Sequence, residues 1–333
     1  MAFDADVLVD RRRLRRKLSF WRVFAFIALA GALIAALAFF GGFNQFERSS
    51  SHIARFSISG VIYDSRPQLE TLAEIAKNEN VKGVIVAINS PGGSTAGGEA
   101  LYNALRELAE KKPVVAQIGT VGASAGYMVA LASDHIVARR NTITGSIGVL
   151  FQYGNAAKLM DTIGVSMDAV KSSPLKAEPT FYEAATPAAR AMLADLVNDT
   201  YDWFVGLVAE RRKLDTAKAR QLSNGRIFTG HQAQKDGLVD ALGGEETAVA
   251  WLEKEKKLEK DLPIVDWRPQ TQQKGLPLAQ AVSGFFSQVV KYVISDGLNQ
   301  QSGLISQGLA LDGLVSVWHA SGGIPENNSG GRE

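Results

Sequence analysis

Cysteine is absent from this 333-residue chain. Its absence excludes disulfides, thiolate metal sites and a cysteine nucleophile, which leaves serine, threonine, carboxylate or metal chemistry for any catalytic function. An excess of one charge is absent too, because 36 Lys and Arg balance 34 Asp and Glu to a formal net charge of +2. We therefore expect no nucleic acid as a partner. The chain does have 46% hydrophobic residues, which is enough for a sizeable core.

The N-terminus combines a basic flank with a long uncharged run at residues 23–43. The flanking basic residues are Arg11, Arg12, Arg13, Arg15, Arg16, Lys17 and Arg22. At ~1.5 Å per residue, a helix over 23–43 is about 31 Å long, which matches a hydrocarbon core of about 30 Å. Because basic flanks stay cytoplasmic, the sequence predicts a single-pass anchor in the inner membrane. Residues 1–22 would be cytoplasmic, and the rest of the chain would be periplasmic or otherwise extracytoplasmic.

Two other interpretations of the N-terminus remain open. Ala36-Leu37-Ala38 fits the cleavage site of a secretory signal, whose apolar stretch would then be Val23 to Ala35. The paired arginines also fit a twin-arginine export signal. Both alternatives place the bulk of the chain across the membrane. We favour the retained anchor because apolar residues continue past Ala38.

Strand and helix patterns alternate after a polar linker at 44–51. The predicted strands are His52–Ile62, Val81–Asn89, Val114–Ile118 and Ile136–Ala138, and the predicted helices include Leu69–Lys77, Ala100–Leu108, Tyr127–Ala132 and Pro187–Lys213. This spacing indicates βαβ units with parallel strands, and hence an α/β layered fold over residues 52–270. A helical region at 271–321 and a disordered tail at 322–333 would follow. Within that region, residues 276–293 fit an amphipathic helix that packs on protein or lies on the bilayer.

Two glycine-rich turns follow predicted strands, at Ser90–Gly93 and Gly119–Gly126. The carboxyl ends of parallel strands meet at one edge of a sheet, so we expect both turns to border the same crevice. In the second turn, Ser124 stands between small residues where a strand passes into a helix. Such a turn exposes a serine hydroxyl and directs the next amide, that of Ala125, at an oxyanion. The same serine would also suit a helix N-cap, and the first turn would also suit a simple tight turn.

A base for this serine is not obvious from the sequence. The four histidines, His52, His135, His231 and His319, form no clear Ser/His/Asp set, although sequence distance alone does not exclude one. A lysine replaces histidine when its ammonium is desolvated. Lys176 is one candidate, and a solvated surface lysine is the alternative interpretation.

Several blocks of sequence, taken in order, resemble the signal peptide peptidase A family of bacteria. They are Asn89–Gly93, Gly122–Tyr127, Thr144–Val149, Gly225–Gly230 and Gly237–Asp240. The anchor and the chain length resemble the short form of that family. The resemblance implies a Clp/crotonase-like fold and a serine peptidase that degrades cleaved signal peptides without a cofactor.

The resemblance also assigns roles to individual residues. Ser124 matches the family's nucleophile, Lys176 its lysine base and Ser146 the serine that orients the lysine. The amides of Gly93 and Ala125 would form the oxyanion hole. Lys171 is the alternative base.

A long form of the family takes its serine and its lysine from two different domains. A short chain reproduces that arrangement by pairing Ser124 with Lys176 of a neighbour in a closed homo-oligomeric ring. The expected partners are therefore peptide substrates, the membrane and further copies of the chain. The alternative from another class is an acyl-CoA-type or catalytically inactive member of the same fold that acts as a membrane scaffold.

Overall fold

A computed structural model describes residues 17, 19–31, 48–269 and 315–317. The chain divides into two units, Met1–His52 and Ile53–Glu333. In the first unit, residues 19–31 form a helix whose side chains are exposed. Among the described residues, no helix combines the length and the apolar character that a bilayer crossing requires. Most of the predicted anchor, residues 32–43, lies outside the described residues, as does 44–47 of the predicted linker.

The larger unit is built on one sheet with the strand order β6-β5-β3-β2-β1-β8. The strands are β1 (His52–Ile62), β2 (Val81–Ser94), β3 (Val114–Ala123), β4 (His135–Ala138), β5 (Ile143–Gly145), β6 (Ile227–Thr229), β7 (Ala241–Leu242), β8 (Ile264–Trp267) and β9 (Val315–Val317). β3 runs parallel to β2, β4 and β5, and β1 runs parallel to β8. β6 is antiparallel to β5, and β9 is antiparallel to β2. The predicted α/β class with parallel strands is confirmed.

Helices connect these strands, and four of the described helices begin at a side chain that caps them. They are α1 (Arg66–Lys77), α2 (Thr95–Ala109), α3 (Ala125–Ala130), α4 (Ala157–Ile163), α5 (Pro187–Arg212), α6 (Thr216–Leu222), α7 (Gly230–Lys235) and α8 (Glu245–Glu255). Ser94 caps α2 by accepting a hydrogen bond from the Gly97 amide, and Thr186 caps α5 in the same way from Ala189. Proline at the first position of α5 suits a helix start. An N–H at that position would have no partner inside the helix, so nothing is lost by a residue without one.

Helices cover both faces of the sheet. In β2, Val84, Val86 and Ile88 pack into the larger core cluster, which includes residues of α1, α2, α3 and α5. Ile85 faces the other way, into a smaller cluster with Leu252 of α8. This alternation follows from the two-residue period of a strand. Because both faces are buried, the strand reads as a nearly continuous apolar run.

The glycine-rich segments differ from the sequence expectation. We expected turns to end β2 at Asn89 and β3 at Ile118, but the strands continue to Ser94 and Ala123. The reason is pairing on neighbouring strands, since Ser90 pairs with Gly122 after a register shift that follows Ile88.

Most of the predicted C-terminal region lies outside the described residues. This includes residues 276–293 and the tail 322–333. Three residues of the predicted helical region 271–321 are described, Val315–Val317, and they form strand β9.

Candidate active site

Three parallel strands end side by side at one edge of the sheet. Gly122 of β3 pairs with Ser90 of β2 on one side and with Thr144 of β5 on the other. The chain leaves this edge at Ser124 from β3, and at Ser146 from β5 one residue after Gly145. The two glycine-rich segments and the Thr144–Val149 block therefore meet, as the topology of parallel strands requires.

Ser124 lies in a sharp turn between β3 and α3. Its φ of 56° and ψ of −120° fall in a region that residues other than glycine rarely occupy. Its amide donates a hydrogen bond to the Gly145 carbonyl (2.8 Å), and its carbonyl accepts one from the Met128 amide (2.9 Å). The residue is 1% exposed. Ser124 occupies the N-cap position of α3, but its hydroxyl makes no capping hydrogen bond, so the N-cap interpretation does not account for this serine.

The segment after Ser124 packs closely on β2. A Cβ atom at Gly126 would lie 2.8 Å from the Ser90 carbonyl oxygen. The close approach requires glycine at this position. Ala125, the first residue of α3, is fully buried between these segments.

Gly93 lies where the end of β2 meets the end of β1. A Cβ atom at Gly93 would overlap the Ile62 backbone, at 1.9 Å from its carbonyl oxygen, so no other residue fits. Gly92, just before it, has a φ of 117°. β9 pairs with this stretch, with Ser316 opposite Gly93. The segment that we expected to be a tight turn is therefore an edge on which another strand pairs.

Ser146 follows β5 in a left-handed conformation, with a φ of 48°. Its amide donates to the carbonyl of Arg226 (2.8 Å), and its side chain is half-buried. Arg226 belongs to the Gly225–Gly230 block, whose strand β6 pairs with β5. The structure therefore joins two blocks that are far apart in the sequence.

The two candidate lysines lie in a largely exposed segment that carries α4. Lys176 is exposed, and its amide donates to Ser173 (3.1 Å) within a turn. Lys171 is paired instead, with its Nζ 2.7 Å from Oε1 of Glu178, a carboxylate that is itself 6% exposed. The hydrogen bond to Glu178 raises the pKa of Lys171. The structure therefore buries the candidate nucleophile and exposes the candidate base.

The three described histidines lie away from the carboxyl ends of β2, β3 and β5 and make other contacts. His135 begins β4 opposite Val115, stacks on Trp251 and has a pKa that burial lowers. At ~3.3 Å per residue, the length of β3 from Val115 to Ser124 separates His135 from Ser124 by roughly 30 Å. His231 lies two residues after Thr229, whose strand partner is Ile143, at the end of β5 away from Ser146. His52 donates from Nδ1 to the Ser50 carbonyl (2.7 Å), and His319 lies outside the described residues.

One residue of the site was missed by sequence reasoning. Ser90 is fully buried, accepts a hydrogen bond from the Gly92 amide (3.1 Å) and donates to the Gly92 carbonyl (3.3 Å). Its presence before Pro-Gly-Gly was the available signal, because serine hydroxyls bond the backbone two residues on in turns.

Comparisons with known proteins give family matches over residues 63–259. Residues 106–259 match the family model "Peptidase family S49", and residues 63–147 match that of "Clp protease". A protein of Synechocystis named as a protease is 35% identical over 249 residues, which are 74% of this chain and 88% of the relative. The chain belongs to peptidase family S49.

Other relatives of this S49 peptidase carry similar names. A protein of Methanocaldococcus jannaschii named as a protease is 34% identical over 242 residues, 68% of this chain and 78% of the relative. A protein of Enterococcus faecium named as a signal peptide peptidase SppA is 33% identical over 237 residues, 67% of this chain and 69% of the relative. The resemblance that the sequence blocks carry is confirmed, and the chain is an SppA-type serine peptidase.

Proposed function

We propose that this chain is a membrane-anchored serine endopeptidase with a Ser124/Lys176 dyad, and that it degrades cleaved signal peptides. The observation that carries the proposal is the strained turn of Ser124 at the meeting point of β2, β3 and β5. A sparsely populated conformation costs about 1–3 kcal/mol, and such conformations cluster at active sites. The name of the Enterococcus relative supports the choice of substrate.

In the proposed reaction, Oγ of Ser124 attacks the carbonyl carbon of the scissile bond. The hydroxyl proton passes to the neutral amine of Lys176, and the carbonyl oxygen takes the electron pair. The amides of Gly93 and Ala125 donate to this oxyanion. Lys176 then gives the proton to the leaving amine, and water hydrolyses the acyl-enzyme by the same steps. Ser146 would hold the lysine in position.

Lys176 is the better base of the two lysines. The pKa of Lys171 is raised because its ammonium donates to Glu178, which keeps it protonated and unable to accept a proton. A lysine acts as a base only as the neutral amine, and desolvation favours that form. The single chain leaves Lys176 exposed to solvent. Something outside the single chain would have to cover it.

A second copy of the chain is the proposed cover. The segment around Lys176 exposes large apolar side chains, namely Leu150, Tyr153, Leu159, Ile163, Val165, Met167, Val170, Leu175 and Phe181. Many exposed apolar side chains in one segment favour a protein interface. We propose that neighbours in a homo-oligomeric ring cover this segment, and that each Lys176 serves the Ser124 of the next chain.

The anchor belongs to the same proposal. The basic flank and residues 23–43 support an inner-membrane helix with a cytoplasmic N-terminus and an extracytoplasmic domain. Intact-mass measurement of the membrane fraction tests it. A mature chain that begins at Phe39 would replace the anchor with a cleaved signal.

The alternative, an acyl-CoA-type enzyme or an inactive scaffold, is not favoured. The matched family and the three relatives described above are peptidases by name, and the backbone at Ser124 is strained in the way that a nucleophile's turn is. No separate observation supports acyl-CoA chemistry.

A serine-reactive fluorophosphonate probe tests the proposed function on the full-length chain. We expect labelling and peptide cleavage in the wild type, and loss of both in Ser124→Ala, because the nucleophile is gone. Ser133→Ala is the matched control, since Ser133 is also a buried serine. Cleavage above a tenth of the wild-type rate in Ser124→Ala would refute the nucleophile assignment.

A further inference from the structure

Ser90 lies directly before the segment that carries Gly93, and its hydroxyl bonds both backbone polar groups of Gly92. We propose that Ser90 is a positioning residue of the peptidase reaction, whose hydroxyl orients the Gly92–Gly93 peptide so that the Gly93 N–H faces the oxyanion. The inference rests on the proposed function and adds a residue to which neither the sequence blocks nor the comparisons give a role.

One peptide unit joins Gly92 to Gly93 and carries the proposed oxyanion donor. The carbonyl of Gly92 and the N–H of Gly93 belong to the same planar, trans peptide, so they point in opposite directions. Ser90 Oγ donates to the Gly92 carbonyl at 3.3 Å and accepts from the Gly92 N–H at 3.1 Å. A hydroxyl that fixes the direction of this carbonyl therefore also fixes the direction of the Gly93 N–H.

This peptide needs such a constraint. It joins two glycines, and glycine loses more conformational freedom on ordering than any other residue. Gly92 has a φ of 117°, and the regular pairing of β2 with β3 shifts between Ile88 and Ser90. A side chain at Gly93 cannot restrict this peptide, because a Cβ atom there would overlap the backbone of Ile62. The hydroxyl of Ser90 restrains this peptide from within β2, in addition to the pairing of Gly92 and Gly93 with β9.

Ser90 also lies close to the segment that carries the second proposed donor. A Cβ atom at Gly126 would lie 2.8 Å from the Ser90 carbonyl oxygen and 3.3 Å from Ser90 Cβ. Gly126 directly follows Ala125, the second proposed donor. Ser90 is fully buried, so water does not compete for its hydroxyl. One residue thus lies between the two amide-bearing segments and helps to set their spacing.

The test compares Ser90→Ala with Ser133→Ala in the full-length chain. Ser133 is a matched control because it is buried and its hydroxyl also bonds backbone carbonyls, those of Ala130 and His135, at the far end of α3. We expect Ser90→Ala to lower kcat on a fluorogenic peptide by about tenfold and to leave KM within about twofold. The loss is smaller than the roughly hundredfold or greater cost of deleting an oxyanion donor, because the amide remains but is less well aligned.

A peptide aldehyde gives a second readout. Ser124 Oγ adds to the aldehyde carbon, its proton passes to the base, and the former carbonyl oxygen enters the proposed oxyanion hole. We expect Ser90→Ala to weaken aldehyde binding by about the same factor as kcat, and to leave binding of the corresponding peptide alcohol unchanged. Ser133→Ala should change neither quantity, although both variants should lower the melting temperature.

Two results would overturn the proposal: equal kcat values for Ser90→Ala and Ser133→Ala, or a change in KM alone. Should Ser90→Ala not fold, Ser90→Cys keeps the side-chain volume with a weaker donor and acceptor, and we expect an intermediate loss of kcat. Wild-type kcat in Ser90→Cys would then refute the role. Failure of the proposed function would look different, because Ser124→Ala would retain activity whatever Ser90 does.

Discussion

At the scale of single residues, the site depends on backbone geometry that only certain side chains permit. Ser124 and Ser146 both have positive φ values, of 56° and 48°. Each is held by a hydrogen bond from its amide, to Gly145 and Arg226 respectively. The surrounding strands therefore stabilise conformations that an isolated turn would not keep. The two serines that the proposed reaction uses are fixed by Gly145 of β5 and by Arg226, the residue before β6.

The two lysines give a prediction at the same scale. We expect Lys176→Arg to lower kcat/KM by about a hundredfold or more, because a guanidinium stays protonated above pH 12 and a general base contributes roughly 10²- to 10⁴-fold. Lys171→Arg is the matched control, since arginine preserves the ion pair with Glu178. It should retain activity within about twofold. Steady-state cleavage of a fluorogenic peptide measures both variants, and the reverse ranking would make Lys171 the base.

Some residues of the proposed site can be predicted from the sequence, and others cannot. Ser124 was identifiable because a serine among small residues between a strand and a helix is a local pattern. The hydroxyl contacts of Ser90 depend on the φ of Gly92, which the sequence does not specify. The exposure of Lys176 depends on packing across the whole chain, and under our proposal on a neighbouring chain as well.

At the scale of helices and strands, local signals set some boundaries and pairing sets others. β1 was predicted at His52–Ile62 and has those bounds, and α5 begins at Pro187 as predicted, because alternation and caps are local. The glycine-rich parts of β2 and β3 were not predicted as strand. Their conformation comes from the register with β5 and β9, which is a long-range property.

β9 gives a prediction at this scale. Its residues pair with Gly92–Ser94, a stretch that includes the proposed oxyanion donor Gly93. We expect the substrate peptide to pair with the same edge, and it then has to displace β9, because one strand edge accepts one partner. Deleting residues 311–333 should therefore lower KM several-fold and leave kcat unchanged, since each ladder hydrogen bond contributes about 1 kcal/mol, or about fivefold.

A double variant separates the effect of losing β9 pairing from the effect of shortening the chain. Val315→Pro with Val317→Pro keeps the chain length but removes two backbone donors, and should reproduce the lower KM. Ser321→Pro, outside β9, is the control. An unchanged or higher KM in the deletion would show that β9 does not compete with the peptide.

At the scale of the whole molecule, the described part of the larger unit is well packed around its sheet, and one segment of it is largely exposed. Helices bury both faces of the sheet, in two clusters of apolar side chains. Between β5 and α5, in contrast, apolar side chains such as Leu159, Ile163 and Phe181 are more than half exposed, at 63%, 63% and 52%. The same segment carries Lys176. An interface that covers it would bury apolar surface and desolvate the proposed base in a single step.

Mixed oligomers test whether that interface also completes the site. We expect coexpressed Ser124→Ala and Lys176→Ala chains, each inactive alone, to recover activity when they assemble together. If the serine of one chain uses the lysine of the next, about a quarter of the interfaces in a randomly mixed ring join an intact Ser124 to an intact Lys176. A dyad within one chain leaves no intact pair, because every chain lacks one of the two residues. Two affinity tags, one on each variant, isolate the mixed oligomers, and fluorogenic cleavage measures the recovery. Absence of activity in those oligomers, with wild-type rings active at the same concentration, would place both residues of the dyad in the same chain.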